Sequence, residues 1–253
     1  MLNSETAEKL RYMKLHGMAE AFRGQADDAV MQGLSFEERF GLLVDCEYLK
    51  RRNALLQRLI RGANFKAPAA CMEDIEYHAD RKLDKETLVR LASCAYINEH
   101  RNVIVMGATG VGKTYLGCAL GNAACRKFLK VKYVRLPELL VELSIARGDG
   151  SYRRLMSQYK KYRLLILDEW LLMPLDVQSA LDILEIVEMR HEHSSTIFIS
   201  QSAPGGWHPM IGEGRIADAM LDRIIYNSYE ILISGDSMRQ RKSFRKKPNA
   251  GKA

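Results

Sequence analysis

The chain has 253 residues, 47% of them hydrophobic and 27% charged, the balance of a soluble globular protein with one large domain or a core plus a small appendage. The longest strictly apolar runs are only a few residues, as at 164–167, and the first eight residues are polar, so neither a membrane span nor a signal peptide is expected. Five cysteines, an odd number without a Cys-x-x-Cys pair, point to free thiols in a reducing cytoplasm and away from disulfides or zinc, while a net charge of +7 raises the question of a polyanionic partner.

Residues 5–32 contain little Gly or Pro and read as one helix ended by Gly33. Ser35-Phe-Glu-Glu38 has capping-box spacing, and Phe36, Phe40, Leu43 and Val44 follow on one helical face, so a second helix runs to about Arg61. Residues 62–70, with Pro68, read as a linker, which makes 1–65 a small N-terminal helical domain. Asp84 can cap a short helix over 85–92. Strands are then expected at 102–106, 131–135, 164–167, 196–200 and 229–233, with helices at 113–128, 137–147, 176–192 and 216–225 between them. That alternation predicts an α/β core over 66–238, a parallel sheet sandwiched by helices. Residues 239–253 form a tail with seven basic residues and no acid.

Gly107-Ala108-Thr109-Gly110-Val111-Gly112-Lys113-Thr114 matches G-x-x-x-x-G-K-[ST] between an expected strand and an expected helix. The glycines let successive backbone N–H groups turn inward around a phosphate, and the helix adds its positive N-terminal end. Lys113 would reach the β- and γ-phosphates, the Thr114 hydroxyl would ligate Mg²⁺, and the nucleotide contacts would run from Gly107 through Tyr115. Leu164-Leu-Ile-Leu-Asp168-Glu169 is a buried strand ending in two carboxylates: Asp168 is placed to hold Mg²⁺ and Glu169 to polarise a water. The pair favours ATP hydrolysis over phosphoryl transfer to a small substrate. Gln201, after the strand at 196–200, either contacts the γ-phosphate or caps a loop. Arg223, in Leu221-Asp222-Arg223, either reaches a neighbouring subunit's ATP as an arginine finger or pairs locally with Asp222.

These motifs together resemble the AAA+ ATPases, and finer stretches resemble the IstB-type helper ATPases of insertion-sequence transposases, relatives of the DnaC helicase loaders. Leu15-His-Gly-Met-Ala-Glu20, Leu34-Ser-Phe-Glu-Glu-Arg39, and Glu47 followed by Arg51-Arg-Asn53 are similar to that family's opening helices. Val111 to Leu120, Ser200-Gln201 with Trp207-His208, Ile216 to Arg223, and Gly235-Asp-Ser-Met-Arg239 are similar to its later motifs. The resemblance implies a sensor role for Gln201, the finger role for Arg223, a further nucleotide-sensing or subunit-bridging role for Arg239, and the absence of a helical lid domain. It also implies head-to-tail homo-oligomers that assemble with ATP on duplex DNA, without strong sequence preference, and stimulate a partner transposase. One departure stands out. Where the family often has Asp-Asp-Trp-Gly, this chain has Asp168-Glu169-Trp170-Leu171, which puts the turn after the strand in question.

Charge is polarised along the core as well as in the tail. Residues 126–163 carry +8, residues 164–238 carry −9, and residues 1–125 carry +1. Arg147, Arg153, Arg154, Lys160 and Lys161 are therefore the expected DNA-phosphate contacts, electrostatic and salt-dependent, unless they pair with the acidic half across an interface. A replicative helicase loader and a non-catalytic ATP-gated DNA scaffold remain alternatives to the transposition regulator.

Overall fold

A computed structural model of the chain describes residues 2–212 and 214–241. The chain divides into two compact units, Met1–Arg58 and Leu59–Ala253. Lys242, Arg245, Lys246, Lys247 and Lys252 of the basic tail lie outside the described residues.

The first unit holds α1 (Leu2–Tyr12), α2 (His16–Asp27), α3 (Ala29–Gln32) and most of α4 (Phe36–Ala63). The single helix expected over 5–32 is thus three helices. The break is a backbone device: Lys14 takes φ +60°, and the Lys14 and Leu15 N–H groups turn back to the Arg11 and Leu10 carbonyls at 2.9 and 2.8 Å. This closes a helix C-terminus as a glycine usually does, and a lysine there leaves no sequence signal. Asp28 then caps α3 by accepting the Val30 N–H. The start of α2 has no side-chain cap of its own. Instead Glu47 of α4 accepts the Gly17 and Met18 N–H groups at 2.7 and 3.1 Å, and Arg51 grips the other oxygen of Glu47 at 2.7 Å. Gly17 is required there, since a Cβ would press on the α4 backbone at Cys46 and Glu47. The capping box forms as expected: the Glu38 N–H reaches Ser35 Oγ at 3.2 Å and the Ser35 N–H reaches the Glu38 carboxylate at 2.8 Å.

The second unit is built from α5 (Lys85–Ala92), α6 (Ala95–Asn98), β1 (Asn102–Gly107), α7 (Lys113–Arg126), β2 (Val131–Arg135), α8 (Leu136–Gly148), α9 (Tyr152–Lys160), β3 (Leu164–Trp170), α10 (Val177–Arg190), β4 (Ser195–Ser200), α11 (His208–Ile211), α12 (Gly214–Ile225), β5 (Ser228–Ile233) and α13 (Met238–Arg241). Five strands form one parallel sheet in the order β2-β3-β4-β1-β5. β1 and β4 are buried along their whole length, which is why both read as unbroken apolar or small-residue runs. The connection from β1 runs toward β2 and that from β4 toward β5, in opposite directions. A crevice therefore opens at the C-terminal ends of these two strands. On one side of the sheet Leu139, Leu143, Ile183, Ile186, Met220 and Ile224 from α8, α10 and α12 pack with Leu165, Leu167 and Phe198. Trp170 meets Phe198 edge-on at 4.7 Å and Trp207 at 5.9 Å. Among the described residues only α13 follows β5, and no helix is long and apolar enough to cross a membrane.

Candidate functional site

The loop between β1 and α7 takes the shape that its glycines permit. Gly107, Gly110 and Gly112 have φ of +148°, +88° and +101°. A Cβ at Gly107 would strike the Ile233 carbonyl, and one at Gly110 the Ser237 hydroxyl. Two further contacts hold the loop: the Met238 N–H donates to Gly110 O at 2.9 Å, and the Arg81 guanidinium donates to Val111 O at 3.0 Å. Gly112 gives α7 no side-chain cap, so the first N–H groups of the helix face the cleft free for an anion. Lys113 Nζ donates to the Gly107 and Ala108 carbonyls at 2.8 and 2.9 Å. Burial lowers its pKa, Asp168 opposes that shift, and the charge of Arg239 adds to it.

Beside the loop, β3 delivers the carboxylates. Asp168 is 5% exposed. Its Oδ2 accepts from Thr114 Oγ1 at 2.8 Å and Tyr133 OH at 2.7 Å, and its Oδ1 accepts the Glu169 N–H at 2.8 Å. Glu169 faces Arg135, at the end of β2, at 3.4 Å. The turn that follows answers the question posed by the missing glycine. Glu169 and Leu171 adopt φ of +57° and +49°, beside a register shift between Leu167 and Trp170 on the β3–β4 ladder. Leu171 thus keeps a left-handed conformation suited to glycine while burying its side chain.

A cleft of about 480 Å³ is lined by Thr109, Gly110, Gly112, Lys113, Thr114, Tyr115, Asp168, Glu169, Gln201 and Arg239, together with Lys66 and Ala67. The phosphate loop, the Asp-Glu pair, Gln201 and Arg239 are therefore brought together as the sequence predicts. Past Gly112 and Tyr115 a smaller cavity of about 100 Å³ is walled by Ile75, Leu83, Leu116 and Met238, with Arg81 at its edge. Sequence reasoning missed Lys66, Arg81, Tyr133 and Arg135. None belongs to a motif, and only the fold brings them to the loop.

Arg223 lies elsewhere. It lines a narrow crevice with Asn102 and Thr196, residues at the N-terminal ends of β1 and β4 and so at the far end of the sheet from the loop. It donates to Ala219 O at 2.7 Å and pairs with Glu188 at 3.0 Å, so its observed partner is Glu188 rather than Asp222. The basic segment also divides. Arg147 is exposed but paired, donating from Nε to the buried Asp182 at 3.0 Å and stacking 4.0 Å from the Tyr152 ring. Its charge is thus engaged by Asp182, while its side chain stays 41% exposed. Arg153, Arg154, Lys160 and Lys161 are exposed, while Leu155, Met156 and Tyr159 of α9 point into the core.

A parallel β2-β3-β4-β1-β5 sheet with this loop, a strand-end carboxylate pair and helices on its flanks defines a P-loop nucleotide-binding core of the AAA+ class. Three solved structures share the fold. DnaI superposes with a TM-score of 0.57 at 22% identity over 70% of this chain and 94% of that one. The DnaC helicase loader does so with a TM-score of 0.53 at 17% identity, over 65% and 97%. AMPPCP-bound DnaA from Aquifex aeolicus gives 0.56 at 19%, over 68% of this chain and 52% of DnaA. The family model for IstB-like ATP-binding proteins matches residues 8–246, and the chain belongs to that family. An insertion sequence ATP-binding protein of Sinorhizobium fredii is 41% identical over 240 residues, covering 95% of this chain and 98% of that protein. The insertion sequence IS1162 ATP-binding protein of Pseudomonas fluorescens is 41% identical over 201 residues, covering 79% and 87%.

Proposed function

We propose that the chain is a Mg²⁺-dependent ATPase that assembles head to tail on duplex DNA and stimulates the transposase of its own insertion sequence. One observation carries this reading: Lys113, Thr114, Asp168, Glu169 and Gln201 converge on one cleft, whereas Arg223 stands at the opposite end of the sheet. A finger role for Arg223 would therefore act on the cleft of another subunit in the same orientation, and a repeated contact of that kind builds a ring or helix.

The donors beside the loop fit Mg²⁺. Thr114 and Asp168 offer the hard oxygen ligands that suit a magnesium ion shared with phosphates, where it would neutralise phosphate charge. The ammonium of Lys113 exchanges the Gly107 and Ala108 carbonyls for phosphate oxygens. Glu169 takes the proton of the attacking water, and Gln201 orients that water or the γ-phosphate. The small cavity beside Tyr115, lined by Ile75, Leu83 and Met238 with Asp74, Glu76 and Arg81, would offer apolar and polar groups to the base. Residues 66–238 act as the motor and residues 1–65 as a helical contact domain. The exposed cations of α9, Arg153, Arg154 and Lys160, with Lys161, track DNA phosphates, assisted by the tail at 239–253. The five free cysteines accord with work in the cytoplasm.

Membership of a family of insertion-sequence proteins at 41% identity favours this reading over a helicase loader, because the likeness to DnaI and DnaC, at 22% and 17%, concerns the fold. The test is ATP hydrolysis with and without duplex DNA, in the wild type and Glu169→Gln. DNA-stimulated turnover in the wild type, falling about 100-fold or more in the variant with nucleotide binding kept, supports it. No turnover in the wild type removes the ATPase. Charge reversal at Arg153 and Arg154 should abolish DNA binding but leave nucleotide binding intact; unchanged DNA binding removes the α9 surface.

A further inference from the structure

Asp168 is fixed at both oxygens, and one of its donors comes from outside every motif. Tyr133, in the edge strand β2, is 4% exposed and donates its hydroxyl proton to Asp168 Oδ2 at 2.7 Å. The Thr114 hydroxyl donates to the same oxygen at 2.8 Å. The backbone pairing explains the reach: Tyr133 sits opposite Ile166 and Arg135 opposite Asp168 in the β2–β3 ladder, which brings the phenol alongside the end of β3. A carboxylate that accepts two hydroxyl protons on one oxygen and a backbone N–H on the other has a single allowed orientation.

We propose that Tyr133 is a positioning residue for the metal–nucleotide site: by holding Asp168 Oδ2 beside Thr114, it presents the carboxylate to a Mg²⁺ shared with the nucleotide phosphates. The inference rests on the nucleotide reading above. Its physical content is that a hydroxyl which never touches metal or nucleotide sets the affinity of the site for the ion. Outer hydrogen-bond partners of metal ligands commonly contribute about 10–100-fold to metal affinity, and one hydroxyl belongs at the lower end of that range.

Tyr133→Phe in the full chain deletes only the hydroxyl. A fluorescent ATP analogue is titrated in EDTA and across a series of MgCl₂ concentrations. The expected result is affinity in EDTA within about twofold of wild type and a Mg²⁺ midpoint raised about tenfold. Equal midpoints overturn the inference. So does a loss of affinity in EDTA as large as the loss in Mg²⁺, which would mark Tyr133 as a packing residue only. A second arm repeats the comparison in an Asp168→Asn background, where the Tyr133→Phe effect should shrink below about twofold because its acceptor has changed. An undiminished effect there also overturns the inference. If the wild type itself shows no Mg²⁺ dependence, the nucleotide reading fails first; if it does and Tyr133→Phe matches it, only the role of Tyr133 fails.

Discussion

The two ends of the parallel sheet use arginine and lysine in opposite ways. At the N-terminal end, Arg190 is 2% exposed. It donates to Thr196 Oγ1 at 3.0 Å, to Tyr159 O and Tyr162 O at 2.9 Å each, and to Ser195 O. Burial alone lowers its pKa to about 9. Its hydrogen-bonding capacity is spent on the fold. At the C-terminal end, Lys113 holds only two carbonyls of its own loop, and Arg239 lines the open cleft. A cation saturated by fixed carbonyls ties strands and helices together, whereas one that borrows loop carbonyls is ready to exchange them for phosphate. Arg223 stands between these cases. Its guanidinium is held by one carbonyl and one half-exposed glutamate, a weak pairing that leaves the proposed finger role open to it.

Substitutions at four positions break or sharpen this contrast. The largest effect is expected from Arg223→Ala, which should lower DNA-stimulated ATP turnover about 10³-fold while leaving nucleotide affinity within about twofold, read by steady-state hydrolysis beside analogue binding. Retained turnover would remove the finger assignment and place Arg223 with the structural cations. Arg190→Leu should cost about 3–5 kcal/mol, since it strands three carbonyls and a hydroxyl, and should lower the thermal midpoint by about 10 °C. Lys113→Ala should weaken ATP-analogue binding about 100-fold, or about 2.7 kcal/mol, with no change in the melting of the nucleotide-free chain. Were it to lower that melting as Arg190→Leu does, the contrast between the two ends would collapse. The smallest effect concerns the turn beyond Glu169. At Leu171 the usual order of truncations should reverse, with Leu171→Gly more stable than Leu171→Ala by about 1 kcal/mol in thermal melts, because φ is +49° there.

The sheet was legible in the sequence because a parallel strand buried on both faces is an apolar run with sharp ends. β1 and β4 are of that kind and differ from expectation by one residue, while the edge strand β2, with Lys132 and Arg135 in it, begins and ends where expected. The phosphate loop and the Asp168-Glu169 pair were legible because their chemistry restricts residue types at fixed spacing. Other features depend on contacts between residues far apart in the chain. Nothing near Tyr133 announces that its hydroxyl meets Asp168, and nothing near Arg147 announces Asp182, a partner 35 positions away in each case. Charge summed over residues 126–163 treated Arg147 and Arg153 alike, although one faces a buried carboxylate and the other faces outward. The break at Lys14 was illegible for a different reason, a left-handed helix end made without glycine.

The contact between Met238 and the phosphate loop has a practical consequence. The Met238 N–H braces Gly110 O, and three residues later the Arg241 guanidinium is tied to Asp80, one residue before the Arg81 that braces Val111 O. The last described helix is therefore a clasp on the nucleotide loop. A deletion that starts at Lys242 keeps both of these contacts. One that starts a single residue earlier removes Arg241 and opens the clasp.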